Sequence, residues 1–339
     1  MRAPGFWWRP RPNWLARLLG PIGWIYGAIT LRRMRRPGLR AEVPVICVGN
    51  FIAGGAGKTP TVLALATLLQ RRGEQPVLLT RGYGGRLAGP LQVDLARHRA
   101  GDVGDEALLL ARCAPTIVAR DRAAGAALAK SAGASLIIMD DGLQNPGLQK
   151  QLSLAVIDAV AGIGNGLCLP AGPLRAPLQA QLRQVRGVII IGSGAAGGEL
   201  AALAAAEGVA VIEADLQPSQ GSDSLSGRRV IAVAGIGRPA KFTRTLQEMG
   251  AQIVAERHFP DHHAYDAADV AALLASAEAQ DALVATTEKD MTKLAALWPE
   301  AARHRLAVVP VALNFLTPAP LDVLLREVLA RRSGAAGAL

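Results

Sequence analysis

The sequence predicts an α/β protein. A first domain is built on a mostly parallel sheet, a second, smaller α/β domain follows it, and a membrane-associated helix precedes both. Three observations lead there. From residue 43 onward, short runs rich in Val and Ile alternate with Ala- and Leu-rich stretches of helical length, the pattern of a parallel sheet covered by helices. A polar, Gly-rich stretch at 217–228 interrupts the alternation, and a shorter series of the same kind resumes after it. Residues 1–40 differ in composition from everything that follows.

That N-terminal segment holds four of the five Trp and nine Arg, with no acidic residue. The whole chain carries 37 basic and 27 acidic side chains, for a net charge of +10, so the remainder is close to neutral. A body coated in basic charge for nucleic acid is thereby excluded. The longest uncharged run, residues 18–31, contains Pro21 and would span about 21 Å as a helix, short of the ~30 Å hydrocarbon core of a bilayer. A helix lying in the membrane interface is expected, with Trp at headgroup depth and Arg32, Arg33, Arg35, Arg36 and Arg40 against lipid phosphate. The plain alternative is a helix packed on the protein's own core. A cleaved signal peptide fits poorly, because the Arg cluster follows the apolar run and no small-residue cleavage site comes before the next motif.

In the first domain, strands are expected at 43–48, 76–80, 115–119, 135–140, 152–157, 187–191 and 209–213, with helices at 60–72, 105–113 and 121–132. The strand at 43–48 runs into Gly49-Asn50-Phe51-Ile52-Ala53-Gly54-Gly55-Ala56-Gly57-Lys58-Thr59-Pro60, and a helix follows. A P-loop requires this strand–glycine loop–helix context. Glycines let backbone N–H groups approach phosphates, and the helix N-terminus favours negative charge. Residues Gly54, Gly55, Ala56, Gly57, Lys58, Thr59 and Pro60 thus form the candidate ATP-binding loop. Lys58 reaches the β- and γ-phosphates and Thr59 holds Mg²⁺. The first Gly of the full motif is replaced by Ile52. A chain with 31 Arg and only six Lys nevertheless places one Lys at the motif position.

The run at 136–139 ends in Asp140 and Asp141. A carboxylate at a strand tip beside a phosphate loop completes Mg²⁺ coordination; the alternative is a solvated Asp-Gly turn. Asp105 opens a helix, where it could act as a simple N-cap. After the linker, a strand at 229–234, a helix at 239–249, strands at 251–256, 282–286 and 306–310, a helix at 266–279 and a closing helix at 321–332 are expected. The resulting division is 1–40, 41–218 and 219–339. His262 and His263 follow Asp261 in the second domain; as neighbours they cannot form a HExxH-type zinc site, but a His–carboxylate pair can prepare a hydroxyl for attack on phosphate. Cys47, Cys113 and Cys168 are widely spaced and odd in number, which argues against a disulfide framework or structural zinc.

Several motifs occur together and in order: Gly54 to Pro60, Arg81-Gly82-Tyr83-Gly84-Gly85, Gly104-Asp105-Glu106, Asp140-Asp141-Gly142-Leu143-Gln144, Leu169-Pro170-Ala171-Gly172-Pro173-Leu174-Arg175, Ala234-Gly235-Ile236-Gly237, Asp261-His262 and Thr287-Glu288-Lys289-Asp290. In this the chain resembles the tetraacyldisaccharide 4′-kinase (lipid A 4′-kinase) family over about residues 10–330. The resemblance implies a P-loop NTPase-like domain and ATP-dependent, Mg²⁺-requiring phosphorylation of the 4′-hydroxyl of a tetraacylated disaccharide 1-phosphate, giving lipid IVA. It implies work at the cytoplasmic face of a Gram-negative inner membrane. It makes Asp105 the general base with His262 as its partner, puts Asp140, Asp141 and Thr59 at the metal, and makes Arg81, Gln144 and Arg175 candidate substrate contacts. The family pattern is broken at Asn145, where His is usual, at Ala176, where Glu is usual, and at Ala107, where Pro is usual. A different P-loop ATPase or GTPase acting at the membrane, and a catalytically weakened homologue, are the competing readings.

Overall fold

The computed structural model describes residues 3–219 and 225–336. Helix α1 (Trp14–Met34) leads into the first series: β1 (Val45–Gly49), α2 (Lys58–Arg71), β2 (Pro76–Thr80), β3 (Leu91–Gln92), α3 (Ala100–Val103), α4 (Asp105–Ala111), β4 (Thr116–Val118), α5 (Arg122–Ser131), β5 (Leu136–Asp140), β6 (Leu152–Asp158), α6 (Leu178–Leu182), β7 (Gly187–Ile191), α7 (Ala195–Ala206) and β8 (Ala210–Pro218). The second comprises β9 (Arg229–Ala234), α8 (Pro239–Glu248), β10 (Gln252–His258), α9 (Ala267–Ala279), β11 (Leu283–Thr287), α10 (Glu288–Leu294) and β12 (Leu306–Val309). The chain ends with β13 (Val311–Phe315) and α11 (Pro318–Ala336).

A nine-stranded sheet has the order β13-β8-β7-β6-β1-β5-β2-β4-β3, and a four-stranded sheet the order β10-β9-β11-β12. The small sheet is parallel throughout, and the large one is parallel except at its two edges, where β3 and β13 run antiparallel. Every residue of β1, β2, β5, β6 and β7 is buried. Alternate residues feed opposite faces: Val45 and Cys47 pack with α5, α6 and α7, while Ile46 and Val48 pack with α2, α4 and α11. Burial on both faces is why these strands read as unbroken apolar runs.

One expectation is corrected here. Residues 311–336 are expected, with the rest of 219–339, in the second domain. Instead β13 pairs with β8, and Leu321, Leu324, Leu325 and Val328 of α11 cover the large sheet beside α2. The chain crosses back because the face over β7 and β8 would otherwise be bare. Helices α7 and α10 also form where none was expected.

Helix α1 packs through a narrow stripe of small residues. Ala16, Gly23, Gly27 and Met34 are buried. A Cβ on Gly23 would stand 2.7 Å from the Cys168 carbonyl oxygen, and one on Gly27 would stand 2.9 Å from Cys168 Sγ. The same 168–174 loop holds the phosphate loop from its other side: Ile52 bridges Leu174, and Ala53 N–H donates to Pro173 O at 2.8 Å. The outward face of α1 exposes Trp14, Leu18, Ile22, Ile25 and Ile29, with Trp24 on its flank. Among the described residues, no helix is long and apolar enough to cross a membrane.

Substitution on the two sides of this helix should have opposite signs. Gly23→Val is expected to destabilise the protein by about 1–3 kcal/mol through overpacking. Gly20→Ala, where an added Cβ meets nothing within 4 Å, is expected to stabilise by about 0.5–1 kcal/mol. Urea unfolding of both variants checks this; equal effects would refute the stripe as the docking face.

Candidate active site

The site lies where the tips of β1, β5 and β6 meet the second domain. From the tip of β1, residues 50–57 loop back to the N-terminus of α2. Gly57 precedes Lys58 with φ at +89°, a left-handed conformation that glycine adopts without strain. Its position also excludes a side chain, since a Cβ there would meet Ile191 at 2.5 Å. Buried Asn50 donates from Nδ2 to Gly54 O at 3.1 Å, pinning the loop from inside. Thr59 and Pro60 occupy the first turn of α2, where Thr61 Oγ1 donates to Gly57 O.

Around this loop the expected residues form one network. Arg175 reaches Asp141 with two parallel contacts, at 3.0 and 3.1 Å, and donates from Nε to Ile52 O. Lys58 Nζ lies 3.7 Å from the same carboxylate. Gln144 accepts from Arg175 and donates to Asn50 O at 2.8 Å. Buried Gln181, unremarked in the sequence, accepts from Gln144 and donates to Phe51 O and Ala176 O. Burial raises the Asp141 carboxyl, but Lys58 and Arg175 outweigh it and hold the group below the usual carboxylate range.

Asp140 differs. It is wholly enclosed at the end of β5, and its Oδ1 has no hydrogen-bond partner. Burial first, then the charges of Glu106 and Asp141, push its carboxyl up to about 7 against the pull of Lys58 and Arg122. A buried carboxylate oxygen with nothing to bind is a place for a cation. Among the described residues, no group of three or more His, Cys, Asp or Glu side chains could hold a metal alone. A Mg²⁺ site combines one or two carboxylates with substrate phosphates and water.

The second domain supplies the rest. Asp105 is buried at the start of α4, and its two oxygens lie 3.1 and 3.2 Å from His262 Nδ1. Lys289 Nζ lies 3.3 Å from His262 Nε2. An ammonium can only donate, so Nε2 accepts, and the ring proton sits on Nδ1, donated to Asp105. Lys289 also reaches Glu106 and Asp261, and Lys293 lies 3.3 Å from Asp105 Oδ2. The Tyr83 ring meets His262 edge-on. Burial by itself raises the Asp105 carboxyl; the His262 hydrogen bond and the Lys289 and Lys293 charges overcome it and hold the group well below the usual range. Asp141 and His262 have φ of +48° and +61°, strain of a kind that collects at functional sites.

Of the three candidate substrate contacts, Gln144 and Arg175 are committed to the phosphate-loop network, and Arg81 is exposed at the end of β2. Asn145 turns back on its own loop, its Oδ1 accepting from Gly147 N–H at 2.7 Å. Ala176 is fully buried. Residues missed in the sequence include Asn50, Gln181 and Lys293. The scarcity of Lys could have found some of them. Lys241, Lys289 and Lys293 line the seam between the domains, Lys58 faces Asp141, and Lys150 ties Leu143 O and Asn145 O in the acidic loop.

The depressed Asp105 carboxyl has a consequence for stability. It stabilises the fold fully above its unfolded value of about 4, and the contribution is lost as pH falls toward its lower folded value. The stability advantage of the native protein over Asp105→Asn should therefore be constant above about pH 5 and shrink below it. Urea titrations of both proteins between pH 3 and 8 test this; parallel profiles would refute the ion-pair account.

The sequence profile of the tetraacyldisaccharide-1-P 4′-kinase family matches residues 15–330. The chain is 58% identical over 315 residues to a tetraacyldisaccharide 4′-kinase of Methylorubrum extorquens, covering 93% of this chain and 95% of that one. It is 53% identical over 315 residues to that of Rhodopseudomonas palustris, covering 93% and 92%. The crystal structure of LpxK from Aquifex aeolicus, an "apo" form in complex with ATP, has the same fold, with a TM-score of 0.72 over 93% of this chain and 99% of that chain at 23% identity. The unbroken match from α1 to α11, with the site motifs in order, means that this chain belongs to the tetraacyldisaccharide-1-P 4′-kinase family.

Proposed function

We propose that this chain transfers the γ-phosphoryl group of ATP to the 4′-hydroxyl of a tetraacylated disaccharide 1-phosphate, giving lipid IVA. The observation that carries this reading is the Asp105–His262 pair, which one domain presents to the other beside a phosphate loop. Asp105 accepts the hydroxyl proton as the sugar oxygen bonds to the γ-phosphorus and the bond to the β–γ bridging oxygen breaks, releasing ADP. His262 orients the carboxylate through Nδ1–H. Lys58 and the loop N–H groups take the charge on the phosphates. A depressed base suits this role only once its cations are drawn elsewhere, so acceptor binding would have to loosen the Lys289 and Lys293 contacts.

Thr59, Asp140 and Asp141 would hold Mg²⁺, Asp140 with its unpartnered oxygen foremost. The metal would neutralise phosphate charge at the loop. The acceptor's 1-phosphate is assigned to Arg81. The apolar stripe of α1, followed by Arg32, Arg33 and Arg36, supports attachment to an anionic lipid surface. Because ATP is the donor, that surface is the cytoplasmic face of the inner membrane. The near-neutral charge of the sequence beyond residue 40 speaks against nucleic acid as a partner.

Protein in detergent, given ATP, Mg²⁺ and tetraacyldisaccharide 1-phosphate, should yield a lipid heavier by one phosphoryl group, with fragmentation placing it at the 4′ position. Lys58→Ala should abolish the product; transfer unchanged by that substitution would refute the loop assignment. Asp105→Ala should lower kcat by about 10²–10⁴-fold with ATP affinity within about threefold of native, and equal losses in both would sink the general-base role. Leu18→Glu with Ile25→Glu should release the protein from phosphatidylglycerol vesicles in flotation; undiminished binding would show that α1 is not the lipid-facing element.

A further inference from the structure

The two domains also touch at the turn after β9, next to Asp261. This turn, Gly235-Ile236-Gly237, lies directly against the phosphate loop: a Cβ placed on Gly237 would stand 3.4 Å from Gly55 N. The turn is firmly held. Gly235 N–H donates to Asp290 at 2.9 Å, and Asp290 is fully buried and accepts from Thr287 as well. The next residue, Arg238, opens α8 and ion-pairs with Asp158, with Lys241 on the same carboxylate at 3.5 Å. Asp158 ends β6, the neighbour of β1, two residues beyond Val156, which borders the Cβ position of Gly57.

We infer that Arg238 is a catalytic cation supplied by the second domain. It leaves Asp158 when a nucleoside triphosphate occupies the loop, and binds the terminal phosphate. The inference rests on the phosphoryl-transfer reading above. Three features carry it. On that reading the Gly55 amide would face bound phosphate, and Gly237 stands against it, so the residue following Gly237 is within a side chain's reach of the transferring group. Asp158 can release Arg238 without being orphaned, because Val160 and Ala161 N–H donate to it at 3.0 and 3.1 Å and Lys241 remains. Among the described residues of the loop, Lys58 is the one cation, while charge in the transition state spreads over three oxygens of the transferring group. A guanidinium, planar with five donors, suits those oxygens. Arg238 gains and loses no proton: the sugar oxygen–phosphorus bond forms, the bond to the ADP oxygen breaks, and the hydroxyl proton goes to Asp105. Its side chain is 37% exposed against 8% for Asp158, so the cation and not the carboxylate is free to move.

The test compares the native full-length protein with Arg238→Ala and Arg238→Gln, using binding of ADP, binding of a non-hydrolysable ATP analogue, and transfer to tetraacyldisaccharide 1-phosphate. ADP affinity reports an intact phosphate loop, and should stay within about threefold of native in both variants. The preference for the triphosphate over ADP should fall at least tenfold, and kcat should fall on the order of 10³-fold. Arg238→Lys should recover part of both. Native preference and kcat in the variants would overturn the inference, and so would equal losses of ADP and triphosphate binding in both Ala and Gln variants, which would mark a purely structural ion pair. Absence of transfer by the native protein would instead strike the kinase reading itself, while a surviving Arg238-dependent triphosphate preference would leave the phosphate contact standing.

Discussion

A carboxylate removed from water must find compensating charge or hydrogen bonds, or give up its ionised form. Asp105 is buried within the first domain, yet His262, Lys289 and Lys293, which compensate it, all belong to the second. Neither domain can satisfy this end of the seam alone. These contacts tie the two sheets together through one side chain that also sits where the chemistry is expected. Asp158 repeats the arrangement with Arg238 and Lys241. The two domains therefore meet beside the loop through ion pairs, a kind of contact that polyanion binding and release can remake.

The large sheet makes this possible by what it collects at one end. Its strands are buried on both faces, so polar chemistry is driven to their tips, and β1, β5 and β6 deliver the phosphate loop, the Asp140–Asp141 pair and Asp158 side by side. The two adjacent aspartates have distinct fates. Asp141 points to Arg175 and Lys58, whereas Asp140 has an oxygen with nothing to bind. The departures at Asn145 and Ala176 fall in the scaffold around this pair. Asn145 closes a local turn, and Gln181 fills the polar role beside Ala176 by bonding to its carbonyl, to Phe51 and to Gln144.

What was legible in the sequence was what is local. The runs ending at Gly49 and Asp140 betray strands because covering helices demand apolar residues on both faces, and the glycines before Lys58 betray a phosphate loop because backbone must approach an anion. The return of β13 and α11 to the large sheet left no trace, since an isolated strand does not encode which partner it pairs with. For the same reason Arg238, Asp158 and Lys293 went unnoticed: their meaning lies in partners 80 or more positions away. The motif at Thr287 to Asp290 was visible as a string, but the roles of Lys289, reaching Glu106, and of Asp290, fixing Gly235, needed the fold.

The loop at 168–174 touches α1 on one side and the phosphate loop on the other, through Cys168 against Gly23 and Gly27 and through Pro173 and Leu174 against Ala53 and Ile52. A single layer of chain thus separates the outward apolar stripe of α1 from the strand-to-helix turn that carries Lys58. The molecule has in effect a built-in spacer. Any surface against the stripe would lie at a fixed height below the phosphate loop, set by this one loop of chain.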